Sequence, residues 1–117
     1  MKHLNAIDLR VGNLVSYTGE NIKLDGTLLA MYFQNELDAL FYPIQLTEDW
    51  LVKFGFEKNS YWFKKENMLR FALIENKLIC SIGNDEYGFL YNQINFVHQL
   101  QNLFYALTKT ELQITTP

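Results

Sequence analysis

The sequence predicts an α+β fold built on antiparallel sheets, and three observations carry that expectation. Apolar and polar residues alternate with a period of two near the start and again through residues 60–91. Clusters of Gly, Asn, Asp and Glu separate these runs at hairpin spacing. Near the end, Phe96, Val97, Leu100, Leu103, Phe104 and Leu107 recur at i, i+3, i+4 and i+7, the stripe of an amphipathic helix.

Taken in order, Leu9, Val11, Asn13, Val15 and Tyr17 alternate with Arg10, Gly12, Leu14 and Ser16, which reads as a half-buried strand closed by a turn at Thr18-Gly19-Glu20-Asn21. Asp25-Gly26 between Ile22-Lys23-Leu24 and residues 27–33 is a hairpin signal, because both residues tolerate positive φ. Ala39-Leu40-Phe41-Tyr42 adds a strand that ends at Pro43, which has no N–H to donate. The N-terminal third is thus expected to be a curled, small-barrel-like antiparallel sheet.

A short helix is expected over residues 48–54. Thr47 stands at the N-cap, Glu48 and Asp49 suit the positive helix end, Leu46 and Leu51 have the spacing of a hydrophobic staple, and Gly55 supplies the stop. Residues 60–91 read as a four-strand meander, and a C-terminal amphipathic helix over residues 93–108 covers it. The tail from 110 is expected to fray or to form an edge strand. All of this is assigned to one domain, residues 1–117, a length that buries roughly 65% of the unfolded surface in a single core.

Composition narrows the function classes. The one cysteine, Cys80, permits no internal disulfide and no multi-cysteine zinc site, and its strand neighbours Leu78 and Ile82 give it the place of a small core residue. The longest apolar stretch, residues 28–33, is far shorter than the roughly 20 residues that span a bilayer, so no membrane partner is expected and the location is expected to be cytoplasmic. Phosphate-cradling glycine loops, metalloprotease histidine pairs and nucleophile elbows are absent from the sequence, and Asp85-Glu86 offers too few oxygens for a cation loop. No metal, cofactor or catalytic residue is therefore assigned, and the chain is not read as an enzyme. A hydrolase or transferase would need His98 brought to a distant carboxylate.

Two surfaces stand out. Residues 53–77 hold six cations against three carboxylates, whereas the rest of the chain holds four against ten, within a net charge of −3. In that basic middle Tyr61, Trp62, Lys64, Lys65 and Arg70 combine stacking aromatics with cations, the composition of a platform for a small nucleotide or single-stranded nucleic acid; the acidic flanks disfavour duplex DNA. The second surface is the flank of the last helix, His98, Gln101, Asn102 and Tyr105, which is polar yet uncharged. It is the expected interface of a homo-oligomer.

Three stretches also carry a resemblance: Leu9-Arg10-Val11-Gly12-Asn13-Leu14-Val15; Pro43-Ile44-Gln45-Leu46-Thr47-Glu48-Asp49-Trp50-Leu51 with Phe54-Gly55-Phe56; and Val97-His98-Gln99-Leu100-Gln101-Asn102-Leu103-Phe104-Tyr105-Ala106-Leu107-Thr108. In that order they resemble small proteins of phages, prophages and mobile elements of Bacteroidetes-type bacteria. The resemblance implies an accessory function exerted in the host cytoplasm, in host takeover or counter-defence: binding a host protein, sequestering a small defence signal or handling nucleic acid. It brings no activity and no residue roles with it.

Overall fold

The computed structural model describes residues 2–59, 62–65, 69–74, 77–82, 89–91 and 94–115. The elements are a 3-10 turn at Ala6–Asp8, β1 (Leu14–Tyr17), β2 (Glu20–Lys23), α1 (Gly26–Phe33), β3 (Phe41–Tyr42), α2 (Glu48–Lys53), β4 (Glu57–Asn59), β5 (Trp62–Lys65), β6 (Leu69–Ile74), β7 (Lys77–Ile82), β8 (Phe89–Tyr91) and α3 (Val97–Thr108). The class is α+β with antiparallel sheets. The chain divides into two compact units, Met1–Gln45 with Phe96–Glu111, and Leu46–Asn95 with Leu112–Pro117.

In the first unit a three-stranded sheet has the order β2-β1-β3. Tyr17 pairs with Glu20, which leaves Thr18-Gly19 as a two-residue loop, and both residues have positive φ (52° and 86°). A right-twisted hairpin favours that geometry, and Gly19 supplies it without steric cost. The sheet is open rather than barrel-like. The first strand is also shorter than the alternation of residues 9–17 suggests, because Gly12 turns the chain at φ 96° and the Asn13 side chain accepts the Arg10 N–H at 2.7 Å.

The expected hairpin at Asp25-Gly26 is overturned. Asp25 is extended (φ −103°, ψ 176°) and its Oδ1 accepts the Leu28 N–H at 2.8 Å, so it caps α1. The helix ends with Asn35 in the left-handed region (φ 60°), the Asn35 N–H donating to Tyr32 O and the Glu36 N–H to Met31 O, a Schellman closure. A continuous apolar run of this length fits a helix or a strand equally well by pattern. The capping carboxylate decides for the helix.

Leu9, Val15, Leu24, Tyr32 and Phe41 form the core of this unit. Phe41 meets Tyr32 at 4.1 Å and Tyr17 at 5.4 Å between ring centroids. The Tyr32 hydroxyl donates to Leu4 O and accepts the Phe41 N–H, tying the N-terminal segment to β3, whose Phe41 O also accepts the Leu4 N–H at 2.8 Å.

In the second unit α2 forms where expected. Leu46 and Leu51 are both buried, as a staple requires, and a Schellman closure at Gly55 (φ 88°) joins the Phe56 N–H to Leu51 O at 3.0 Å. Thr47 is the N-cap, but its hydroxyl makes no cap bond; its carbonyl starts the helix instead. The sheet runs β4-β5-β6-β7-β8 with every neighbouring pair antiparallel, so the expected four-strand meander gains a fifth strand, β4. Glu57-Lys58-Asn59 has no apolar alternation to announce a strand; pairing with β5 makes it one. Phe71 of β6 is buried and meets Phe56 edge-on at 5.3 Å. Cys80 stands opposite Phe71 in the register. The tail at residues 111–115 forms no strand, though the Thr115 N–H donates to Lys53 O.

Candidate functional site

The last helix does not present the face that its sequence suggests. α3 begins at Val97, where the Gln99 side chain accepts the Phe96 N–H at 3.1 Å, and its buried residues are Val97, His98, Leu100, Gln101 and Phe104. Leu107, expected inside, is exposed; His98 and Gln101, expected on a free polar flank, are 3% and 2% exposed. Tyr105 remains outside and Asn102 is half-buried. As a contact surface for a second copy, the set is corrected at its first two members.

Backbone supply explains the burial of Gln101. Its Oε1 accepts the Leu14 N–H at 2.8 Å and its Nε2 donates to Gly12 O at 3.0 Å, so one carboxamide satisfies two peptide groups at the entrance to β1. Beside it, Asn102 Oδ1 accepts from Asn13 Nδ2 at 2.8 Å and from Arg10 Nε at 3.1 Å. The Arg10 guanidinium also pairs with Glu111 and lies 4.5 Å over the Tyr105 ring. The Gln101 carboxamide, Asn102 Oδ1, the Asn13 side chain and the Arg10 guanidinium all bond to other residues of the same unit. The cluster positions the 10–14 segment.

His98 differs. Its Nδ1 is buried and has no hydrogen-bond partner among the described residues, and its ring stacks on Phe96 at 6.1 Å. Burial pushes its pKa below the ordinary histidine value, and the negative charge of Asp8 offsets this only in part. A neutral interior imidazole follows. Among the described residues no group of three His, Cys, Asp or Glu side chains is placed to hold a metal.

The basic middle of the sequence lies in the second unit. Lys53 sits 4.6 Å over the Trp50 ring, and Lys58 pairs with Glu48 at 3.4 Å, so two of its six cations have local partners. Lys64 stands opposite Arg70 across β5 and β6 and opposite Glu57 across β4 and β5. Trp62 precedes Lys64 by two positions in the same strand, and Lys65 stands opposite Leu69. Tyr61 lies outside the described residues.

Sequence reading missed an open groove of about 170 Å³ in the first unit, between residues 3–6 and the C-terminal end of α1 with Leu40. Tyr32 is its buried member and Leu4 and Ala6 are half-buried; His3, Asn5 and Asn35 add polar groups. Phe33, also in the lining, is 73% exposed and Leu40 is 43% exposed. No Asp, Glu, Lys or Arg lines the groove. The available signal was the uninterrupted apolar run of residues 28–33, more apolar surface than one short helix buries on one side.

No family model, no curated protein and no solved structure matches the chain. No helix among the described residues is long and apolar enough to cross a membrane.

Proposed function

We propose that this chain is a non-enzymatic binding protein that works through protein recognition, with the groove beside α1 as its contact surface. The observation that carries this reading is Phe33, a large aromatic side chain 73% exposed at the edge of a depression that no Asp, Glu, Lys or Arg lines. Interfaces concentrate their energy in such aromatic anchors and adjoining pockets. The resemblance of the three sequence stretches supplies the setting: an accessory protein of a phage or mobile element that acts in the host cytoplasm, in host takeover or counter-defence. Photocrosslinking from position 33 in bacterial cells, followed by affinity measurements on the captured protein at two salt concentrations, tests the reading. The expected result is a protein adduct whose affinity changes little with salt and falls at least tenfold in Phe33→Glu. Crosslinks to nucleic acid only, or no adduct, reject the surface.

A second reading, binding of a nucleotide or single-stranded nucleic acid, is favoured by the register of β5 and β6. Lys64 and Arg70 occupy paired register positions, which brings two cations of the basic middle to adjacent strands. A phosphate-bearing ligand is the anion that such a pair of positions would take. Titration of nucleotides and single-stranded oligonucleotides at two salt concentrations tests this reading, which expects salt-sensitive binding lost in Lys64→Ala/Arg70→Ala. Binding indifferent to both removes it.

A further inference from the structure

We propose that residues 3–6 form a strap along the outer edge of β3, that the Tyr32 hydroxyl is its latch, and that the groove beside α1 keeps one wall only while the strap is docked. The strap concerns the groove read above as a recognition surface and adds how that surface is assembled. It is a property of the free chain, so it stands or falls separately from any partner.

Main-chain bonding locates the latch. Two residues that form a hydrogen-bonded antiparallel pair exchange both N–H···O bonds. Leu4 and Phe41 share one such bond, from the Leu4 N–H to Phe41 O at 2.8 Å. The other is relayed. The Phe41 N–H donates to the Tyr32 phenol oxygen at 3.4 Å, and that hydroxyl donates to Leu4 O. Leu4 therefore stands as a fourth-strand position beside β3, the edge of the β2-β1-β3 sheet, with a side chain of α1 inserted into the ladder.

The rest of the strap holds the sheet weakly. Asn5 O and Ala6 O accept from Asp8 and Leu9 in the turn that follows, not from the sheet. Among the described residues, the main-chain bonds from residues 3–6 to the sheet and α1 are those of Leu4. Side chains alternate along the segment: Leu4 and Ala6 are half-buried against the core of the unit, whereas His3 and Asn5 are exposed. Without the phenol oxygen, the buried Phe41 N–H and the Leu4 carbonyl both lose their partner. One direct bond and two half-buried side chains remain, and a segment held so sparsely opens locally while the pairing of β1 with β2 stays closed.

Release has two consequences. Residues 3–6 supply four of the eight residues that line the groove, so an undocked strap removes the side that faces Phe33 and Leu40 in the lining. It also uncovers the N–H and C=O of Phe41 at a strand edge, the kind of edge that pairs with other chains when bare.

Amide hydrogen exchange of the purified full chain tests the latch. Tyr32→Phe removes the oxygen alone and keeps a ring to pack on Phe41, which Tyr32 meets at 4.1 Å. The expected result is exchange at the Leu4 amide at least tenfold faster than in wild type, with less than a twofold change at the Leu24 amide, which donates to Asn13 O in the same unit. A smaller acceleration at Leu4 overturns the proposal. Equal acceleration at Leu4 and Leu24 also overturns it, because the hydroxyl then supports the whole unit rather than the strap. Should Tyr32→Phe fail to fold, the wild-type chain carries the test through its hydroxyl protons. That of Tyr32 should exchange with water at least tenfold more slowly than that of Tyr42, which is exposed; equal rates overturn the latch.

Discussion

Gln101 Oε1 accepts the backbone N–H of Leu14 at 2.8 Å across 87 residues of sequence. The same side chain donates to Gly12 O at 3.0 Å, so a single carboxamide on α3 fixes where β1 begins. Replacing Gln101 with Leu strands a buried donor and a carbonyl, each costing roughly 1–3 kcal/mol. Chemical denaturation of Gln101→Leu should show a stability loss of about 2–4 kcal/mol with an unchanged m-value. A loss below about 0.5 kcal/mol would mean that water replaces the carboxamide there.

Gly12 tests the same junction from the other side. Its φ of 96° disfavours any Cβ, and an added methyl would stand 3.4 Å from Glu111 Oε2. Gly12→Ala should therefore destabilise by about 1–3 kcal/mol, most of it backbone strain. Pairing the substitution with Glu111→Ala in a thermodynamic cycle separates the two contributions: a small coupling energy assigns the cost to φ.

Asp25 is the residue on which helix or hairpin turns. Asp25→Ala removes the bond to the Leu28 N–H and should cost about 1 kcal/mol, whereas Asp25→Asn or Asp25→Ser should retain most of it. Hydrogen exchange at the Leu28 amide checks the local effect. Slow exchange retained in Asp25→Ala would show that packing alone closes the first turn of α1.

His98 should make stability depend on pH. Burial lowers its folded-state pKa below the unfolded value of about 6.5, so the unfolded chain binds more protons as pH falls through that value. The contribution of the neutral imidazole is complete above about pH 6.5 and is lost progressively below it. Melting temperatures of wild type should fall from pH 7.5 to 5.5 more steeply than those of His98→Leu. Parallel curves for the two proteins would show that the imidazole titrates as freely in the folded chain as in the unfolded one.

Local signals in the sequence were read correctly where neighbours in sequence are also neighbours in space. The staple of Leu46 and Leu51 and the stop at Gly55 each lie within a few residues, and the same holds for the existence of α3, though not for the choice of its buried face. The open groove escaped because its walls are distant in sequence: the bond from the Tyr32 hydroxyl to Leu4 O spans 28 residues. Asp25-Gly26 was misread for a different reason: the dipeptide serves a hairpin turn and a helix start alike.

By itself the sequence determined the α+β class, the short capped helix, the final helix and the uneven distribution of charge, because propensity, capping and periodicity act over single turns. The tertiary structure decided which side of α3 is interior. A flank of His, Gln and Asn looks like a contact surface as long as its hydrogen-bond partners are unknown. Once the 10–14 segment presents an unpaired N–H and C=O to that flank, burying Gln101 satisfies them, and desolvation is offset by bonds that only the fold brings within reach.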